Sequence, residues 1–210
     1  MALASSVLIC GAANAASSFD GFYAGAILNG HTASISDFRD ASNELFTHTS
    51  DTNYSPSLYA GYGATILNNI YLGAELNFSQ EGVKYTSTEY RLNGSRSLSK
   101  VKQETTKTLG FKLGYLFTEN LLTSIKYKRG DSDASASHTL CDKSGCVANG
   151  SVSANGALDV QTIALGVDYK IASNIFATVE IGKTTPTSPN IAERGNPAFY
   201  NFGAGLGYRF

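Results

Sequence analysis

The sequence has 210 residues, a formal net charge of −1 and a mean hydropathy of −0.10. That length fits one domain, and the balanced charge argues against nucleic-acid binding, which calls for a basic stripe. Beyond the N-terminus, no apolar run reaches the roughly 18 residues that a membrane-spanning helix requires.

The N-terminus has the features of a secretory signal peptide. Ala2 to Ala13 is apolar and small, and Ala13-Asn14-Ala15 matches an A-x-A cleavage site. We therefore expect residues 1–15 to be a signal peptide and residues 16–210 to be the exported domain. A short buried helix and a lipoprotein anchored at Cys10 are the alternatives, and Ile9 argues against the second because a small residue is needed there.

Short and long connections alternate along the rest of the chain. Asn-containing tight turns fall at residues 67–69, 118–120 and 172–174. Polar stretches rich in Ser, Thr, Asn, Asp and Gly, which we interpret as loops, lie at residues 32–57, 80–107, 130–158 and 184–198. Three turns and four loops make seven connections and predict eight strands, and this asymmetry is typical of outer-membrane barrels.

Each predicted strand alternates between apolar and polar or small residues, as a sheet with one apolar face requires. The third strand, for example, places Leu72 and Leu76 on one face and Gly73 and Glu75 on the other. The predicted strands are residues 22–30, 58–66, 70–78, 109–117, 121–128, 162–169, 175–181 and 200–210.

The size of the side chains decides which face points outward. An eight-stranded barrel has an interior just wide enough for side chains, and the bulky face would overfill it. A soluble barrel would place that face inside, whereas a membrane barrel places it against lipid. The sequence therefore predicts an all-β, eight-stranded antiparallel up-and-down transmembrane β-barrel in the cell outer membrane.

Aromatic residues near the strand ends predict two girdles at the lipid headgroups. The girdle near the short turns comprises Phe22, Tyr71, Tyr115, Phe117, Tyr169, Tyr208 and Phe210. The girdle near the loops comprises Tyr59, Phe78, Phe111, Tyr127 and Tyr200.

Several charged residues fall on the inward face of the predicted barrel. We expect a buried ionic cluster, because an unpaired charge in a narrow bore costs several kcal/mol, on the order of 3–5. The cluster is either a structural plug or the charged constriction of a narrow pore. Its predicted members are Glu75, Lys112, Lys126, Asp168, Glu180 and Arg209, and Lys128 is a further inward charge.

Two cysteines remain after removal of the signal peptide. Cys141 and Cys146 are separated by four residues in a chain that leaves the cytoplasm, so we expect a small disulfide loop. A metal site is the alternative, but no His pair or C-x-x-C motif accompanies these cysteines.

The segment Phe19-Asp20-Gly21-Phe22-Tyr23-Ala24-Gly25 resembles the opening strand of the small opacity-protein and porin-like outer-membrane barrel family, which is similar to the outer-membrane protein A transmembrane domain. The tail Phe199 to Phe210 resembles that family's last strand. Its Tyr208 and Phe210 resemble the signal that the barrel-assembly machinery recognises. The family implies roles in membrane integrity, as a surface antigen or in adhesion, with no cofactor.

We therefore expect a non-enzymatic surface barrel that contacts outer-membrane lipid and binds host or surface ligands through its loops. A narrow porin is the main alternative. A lipid-modifying enzyme is a weaker one, because His48-Thr49-Ser50 has the His-x-Ser spacing of lipid A deacylases but falls in a predicted loop without an acidic partner. The sequence ends at Phe210, so a peptidoglycan-binding domain like that of outer-membrane protein A is not expected.

Overall fold

The computed structural model describes residues 18–34, 38–39, 45–50, 52–67, 69–80, 84–90, 96–142, 145–146, 152–187 and 198–210. The predicted signal peptide, residues 1–15, lies outside these ranges. The described residues form the strands β1 (Gly21–Ser34), β2 (Phe38–Arg39), β3 (Leu45–Ser50), β4 (Asn53–Ile66), β5 (Ile70–Gln80), β6 (Lys84–Tyr90), β7 (Arg96–Thr118), β8 (Leu121–Asp142), β9 (Gly145–Cys146), β10 (Val152–Lys170), β11 (Ile175–Pro186) and β12 (Ala198–Arg209).

Eight of these strands close into a barrel. β1, β4, β5, β7, β8, β10, β11 and β12 follow one another around it, each antiparallel to the next. β12 pairs in turn with β1, from Tyr23 opposite Arg209 to Ser34 opposite Ala198. This closure leaves none of the eight strands as an edge at barrel level. The predicted all-β, up-and-down barrel is confirmed.

The three short turns lie where the sequence predicts them. At the first, the Asn69 N–H donates to the Leu67 carbonyl oxygen at 2.8 Å, and Leu67 itself has a φ of 45°. At the third, the Ile175 N–H donates to the Ala172 carbonyl oxygen at 3.3 Å. These contacts reverse the chain within a few residues, so consecutive strands pair directly.

The two faces of the barrel are also those predicted. Leu72, Leu113 and Ile163 point outward and are 46%, 54% and 61% exposed, whereas Tyr71 and Glu75 point inward and are 0% and 2% exposed. A one-residue change of register would exchange the two faces, so the alternating pattern fixes the register of each strand.

Strands occupy much of the sequence that we interpreted as loops. β7 and β8 contain 23 and 22 residues, about twice the 9–11 that cross a bilayer. β6 pairs with the first part of β7, and the end of β8 pairs with the start of β10. These segments are polar on both faces, so they lack the alternation that predicts a half-buried strand. His48-Thr49-Ser50 also lies in a strand, β3, and not in the predicted loop.

The paired segments above the barrel form one tall side, which we call the wall. It consists of β3, β6, residues 96–106 of β7, residues 131–142 of β8 and residues 152–159 of β10. A register shift between Gln103 and Thr106 opposes two residues of β7 to Asp133 alone, which is the pattern of a β-bulge. The wall therefore extends beyond the point where β11 and β12 stop pairing.

Two residues assigned to the aromatic girdles lie inside the barrel. Tyr59 is 5% exposed and Tyr71 is 0% exposed. Both occupy inward positions of their strands. The girdle prediction is wrong for these two residues because it used their position along the strand, whereas the alternation of strand faces decides whether a residue points inward or outward. The remaining girdle residues are exposed on the outer surface.

Candidate functional site

Six charged side chains from five consecutive barrel strands meet inside the barrel and form the charged cluster. Each occupies an inward position of the period-two pattern, so strand parity brings all six to one interior. They are Glu75 on β5, Lys112 on β7, Lys126 and Lys128 on β8, Asp168 on β10 and Glu180 on β11.

Lys126 lies between two carboxylates in this cluster. Its Nζ is 2.8 Å from Glu180 Oε2 and 3.5 Å from Glu75 Oε2. Lys128 Nζ is 2.5 Å from Glu180 Oε1. On the other side, Lys112 contacts Asp168. Three ammonium groups therefore neutralise three carboxylates.

Burial makes this pairing necessary. Lys126 is 3% exposed, and an ion that deep costs several kcal/mol, on the order of 3–5, when its partner is removed. The Tyr23 hydroxyl, 3.2 Å from Glu75 Oε2, donates a further hydrogen bond to the cluster. Tyr23 is not among the predicted site residues, although it alternates with outward Phe22 at the start of β1.

Arg209 lies outside the charged cluster, although the sequence predicts it as a member. In the described part of the chain, no carboxylate lies within 4.0 Å of its guanidinium group. Its central carbon is instead 5.2 Å from the ring centroid of Tyr23, 5.4 Å from that of Phe19 and 5.7 Å from that of Phe176. The faces of aromatic rings attract a cation, so the short-turn end holds Arg209 among π-systems.

Aromatic side chains fill the space beside the charges. The Tyr23 ring centroid lies 6.1 Å from that of Tyr59 and 6.2 Å from that of Phe176. Lys112 Nζ is 5.5 Å from the Tyr71 ring centroid. The short-turn half of the barrel is thus occupied by bulky rings and ion pairs.

Glycines on neighbouring strands make room for these rings. A Cβ at Gly63 would collide with the Tyr71 hydroxyl and ring, and a Cβ at Gly207 would collide with Phe176. The sequence pattern predicts a small and polar interior. The glycines instead let large aromatic side chains pack against the backbone of the neighbouring strands.

The long-loop half of the interior is polar but carries few charges. His31 Nε2 lies 2.8 Å from Ser55 Oγ, and the hydroxyl oxygens of Thr162 and Thr184 are 2.7 Å apart. We call this region the hydroxyl layer. Asn29 and Ser57 form another hydrogen-bonded pair of this layer. Above the layer, at the base of the wall, the Thr106 hydroxyl accepts a hydrogen bond from Gln103 and donates one to Ser132.

The remaining predicted site residues lie away from the interior. Cys141 and Cys146 are opposite each other in the pairing of β8 with β9, and the disulfide between them stays a prediction. Tyr208 and Phe210 are exposed on the outer surface near the short-turn end, with ring centroids 5.2 Å apart. Within the described ranges, no three His, Cys, Asp or Glu side chains are grouped to hold a metal ion.

No helix in the described part of the chain is long and apolar enough to cross a membrane. The model of the outer membrane protein beta-barrel domain family matches residues 1–210, and the chain therefore belongs to that family. No curated protein sequence matches the chain significantly.

Solved outer-membrane barrels have a similar fold at low sequence identity. OprG from Pseudomonas aeruginosa is 15% identical, with a TM-score of 0.50, and the match covers 91% of this chain and 96% of OprG. The Yersinia pestis attachment invasion locus protein Ail is 12% identical, with a TM-score of 0.47, over 91% and 99% of the two chains. Neisserial surface protein A is 15% identical, with a TM-score of 0.43, over 94% and 100%.

Family membership places the protein in the cell outer membrane, as predicted. The apolar outer surface of the barrel then contacts lipid. Short turns face the periplasm and long connections face the exterior in such barrels, so the wall lies on the extracellular side.

Proposed function

We propose that this protein is a non-enzymatic surface barrel whose closed interior anchors an extracellular wall for envelope integrity and for contact with host or environmental ligands. The observation that carries the proposal is the continuation of β7, β8 and β10 as paired strands above the apolar belt. A sheet that continues into the barrel presents its side chains rigidly, and rigid scaffolds lose less entropy on binding.

The filled interior supports an anchoring role for the barrel. An eight-stranded barrel has room for little besides its own side chains. Here Tyr23, Tyr59, Tyr71 and Phe176 occupy that room together with the charged cluster. An interior that is packed and ion-paired favours a rigid support over a path for solutes.

Removing part of the wall tests the proposed surface role. Lys84 and Lys102 are cross-strand partners, so residues 85–101 can be replaced by Asn-Gly, the preferred two-residue hairpin turn. We expect cells with this variant to lose attachment to matrix-coated surfaces while their detergent resistance stays that of cells with the full chain. Unchanged attachment would contradict the display role, and a heat-modifiable gel shift checks that the variant folds.

A narrow channel is the second candidate, and the hydroxyl layer favours it because uncharged polar side chains accommodate water. Planar-bilayer recording separates the two functions. We expect the refolded protein to show no reproducible current steps, whereas Lys126→Ala with Glu180→Ala removes a mutually neutralising pair and opens a leak. Steps in the unmodified protein that vanish in this variant would establish the channel instead.

A lipid-modifying activity is tested by mass spectrometry of lipid A. We expect the lipid A spectrum to stay unchanged when the protein is overproduced and when His48→Ala is introduced. A new lipid A species that depends on His48 would replace the non-enzymatic proposal with the deacylase-like one.

Three biogenesis features complete the proposal. We infer that residues 1–15 direct export, that Cys141 and Cys146 form a disulfide in the oxidising periplasm, and that Tyr208 and Phe210 contact the barrel-assembly machinery. The exposure of both aromatic rings on the last strand supports the third inference. Amino-terminal sequencing of the mature protein, thiol labelling before and after reduction, and crosslinking from position 208 test these features in turn.

A further inference from the structure

The chain crosses the short-turn end of the barrel before β1 begins. Residues Ser18–Asp20, which we call the strap, precede Gly21 at the start of β1. The Ser18 hydroxyl donates a hydrogen bond to the carbonyl oxygen of Glu119, in the turn between β7 and β8. That turn lies about halfway around the ring of barrel strands from β1. The strap therefore extends across the periplasmic mouth of the barrel and does not follow its rim.

The end of the strap next to β1 is fixed by a carboxylate and a glycine. Asp20 Oδ1 accepts hydrogen bonds from the Thr65 N–H at 2.6 Å and from the Thr65 hydroxyl at 2.7 Å. Hydrogen bonds to an ionised group are stronger than those between neutral groups. Gly21 has a φ of 110°, a conformation that residues with a Cβ rarely adopt, so the chain can turn sharply there. Together these two features direct the strap over the mouth.

Phe19 is the part of the strap that fills the mouth. Its side chain is 1% exposed, although polar residues precede and follow it. It belongs to the same buried cluster as Tyr23, Leu122 and Phe176. The Arg209 central carbon lies 5.4 Å from the Phe19 ring centroid. The ring therefore separates the lowest interior side chains, including a buried guanidinium group, from periplasmic water.

The strap is held in a different way from the strands beside it. β1 pairs along its length with both β4 and β12, and these pairings begin at Gly21 and Tyr23, after the strap. The strap is fixed instead by side-chain hydrogen bonds at its ends and by the burial of one ring. Segments without paired backbone open locally at a lower free energy than the whole fold. The strap can therefore leave the mouth while the eight barrel strands stay paired.

We propose that the strap is a releasable seal on the periplasmic mouth of the barrel. In the closed position, the Phe19 ring blocks the mouth and covers Arg209. When the strap leaves, water and small solutes from the periplasm reach the lowest aromatic rings of the interior. The seal thus controls access to the interior from one side of the membrane, which the display role of the wall does not require.

The labelling rate of a buried thiol measures access through the mouth. Leu122→Cys places a thiol at a position that is 0% exposed and belongs to the same cluster as Phe19. Leu116→Cys, at the opposing position on β7, is the second reporter if the first does not fold. The refolded proteins, in nanodiscs, react with a charged, membrane-impermeant methanethiosulfonate, and mass spectrometry follows the reaction. Every protein carries serine in place of the native cysteines, by Cys10→Ser, Cys141→Ser and Cys146→Ser.

Two strap variants are compared with a matched control in this background. Phe19→Ala removes the ring that fills the mouth, and Asp20→Ala removes the hydrogen bonds to Thr65. Phe22→Ala is the control, because it removes a phenylalanine from the same end of the barrel but from the outer surface, where the ring is 66% exposed. A heat-modifiable gel shift checks that each protein folds.

We expect Asp20→Ala to raise the labelling rate about 10-fold or more, because a hydrogen bond to a charged group shifts an opening equilibrium by that much. Phe19→Ala should raise the rate at least as much, and Phe22→Ala should leave it unchanged. Opening of the strap exposes little surface, so low concentrations of urea should barely change these rates.

The opposite results would overturn the seal. Equal labelling rates in the strap variants and the control would mean that the Phe19 ring does not close the mouth. Rapid labelling of the reporter without any strap substitution would mean that the mouth is open. A labelling rate that rises with urea as steeply as global unfolding would mean that the thiol reacts only when the whole barrel unfolds.

Discussion

The two halves of the barrel interior satisfy their polar groups in different ways. The short-turn half holds the charged cluster, in which Lys126 is shared by Glu75 and Glu180. The hydroxyl layer in the long-loop half consists of separate pairs, such as Thr162 with Thr184. The first arrangement makes each residue depend on several others, whereas the second lets each pair stand alone.

Charge explains this difference. A buried ion requires an opposite charge and further hydrogen bonds, so carboxylates and ammonium groups gather into a network. A buried hydroxyl needs one partner, which a cross-strand neighbour can supply. The short-turn half is therefore the part of the interior where a single substitution should have the larger effect.

The largest expected effect is at the centre of the charged cluster. Lys126→Met removes the ammonium group between Glu75 and Glu180, and we expect the free energy of unfolding to fall by about 3–5 kcal/mol because buried carboxylates lose their partner. Urea titration of the protein refolded in detergent micelles measures this loss. The control is Lys100→Met, an exposed lysine, which should change stability by less than about 0.5 kcal/mol. Similar losses of unfolding free energy in both variants would mean that the buried ion pairs stabilise the barrel no more than an exposed lysine does.

The next effect concerns the packing of rings against backbone. Gly63→Ala places a Cβ against the Tyr71 ring, and overpacking of this kind costs about 1–3 kcal/mol. Gly156→Ala is the matched control, since a Cβ at Gly156 meets nothing within 4 Å. The same urea titration compares them. A neutral Gly63 variant would show that Tyr71 can move and that the short-turn half is loosely packed.

The smallest effect is expected in the hydroxyl layer. Thr162→Val leaves the Thr184 hydroxyl without its partner, at a cost of about 1 kcal/mol. Adding Thr184→Val should cost less than the sum of the two single substitutions, because both unpaired groups are then gone. A double-mutant cycle measures that coupling. Additive losses would imply that each threonine has other partners and that the pairs are not independent.

The sequence predicts the barrel well because one physical rule, the alternation of strand faces, acts on every crossing residue. Leu72 and Leu113 point outward and Glu75 and Lys126 point inward, as the pattern requires. The Asn-containing turns also lie where predicted. Each of these features depends on residues close together in the sequence, so local patterns are sufficient.

Features that depend on distant partners could not be predicted in this way. The wall is polar on both faces, and residues 96–106 of β7 become a strand because β6 and β8 pair with them. Arg209 differs from the cluster members only in what lies around it, and three aromatic rings from other segments decide its environment. Tyr59 is inward by the parity of its strand, and the space that Gly25 and Gly207 leave for its hydroxyl is the part that depends on distant residues.

The pairing of β1 with β12 has a consequence for how the chain reaches its folded state. It is the one barrel contact between strands from opposite ends of the chain, whereas every other pair joins consecutive crossings. Long-range pairing closes slowly because the loop entropy must be overcome first. Until then both terminal strands expose hydrogen-bonding edges and apolar rows, which promote aggregation. A factor that binds the last strand would therefore protect the unfolded chain from aggregation until β12 pairs with β1.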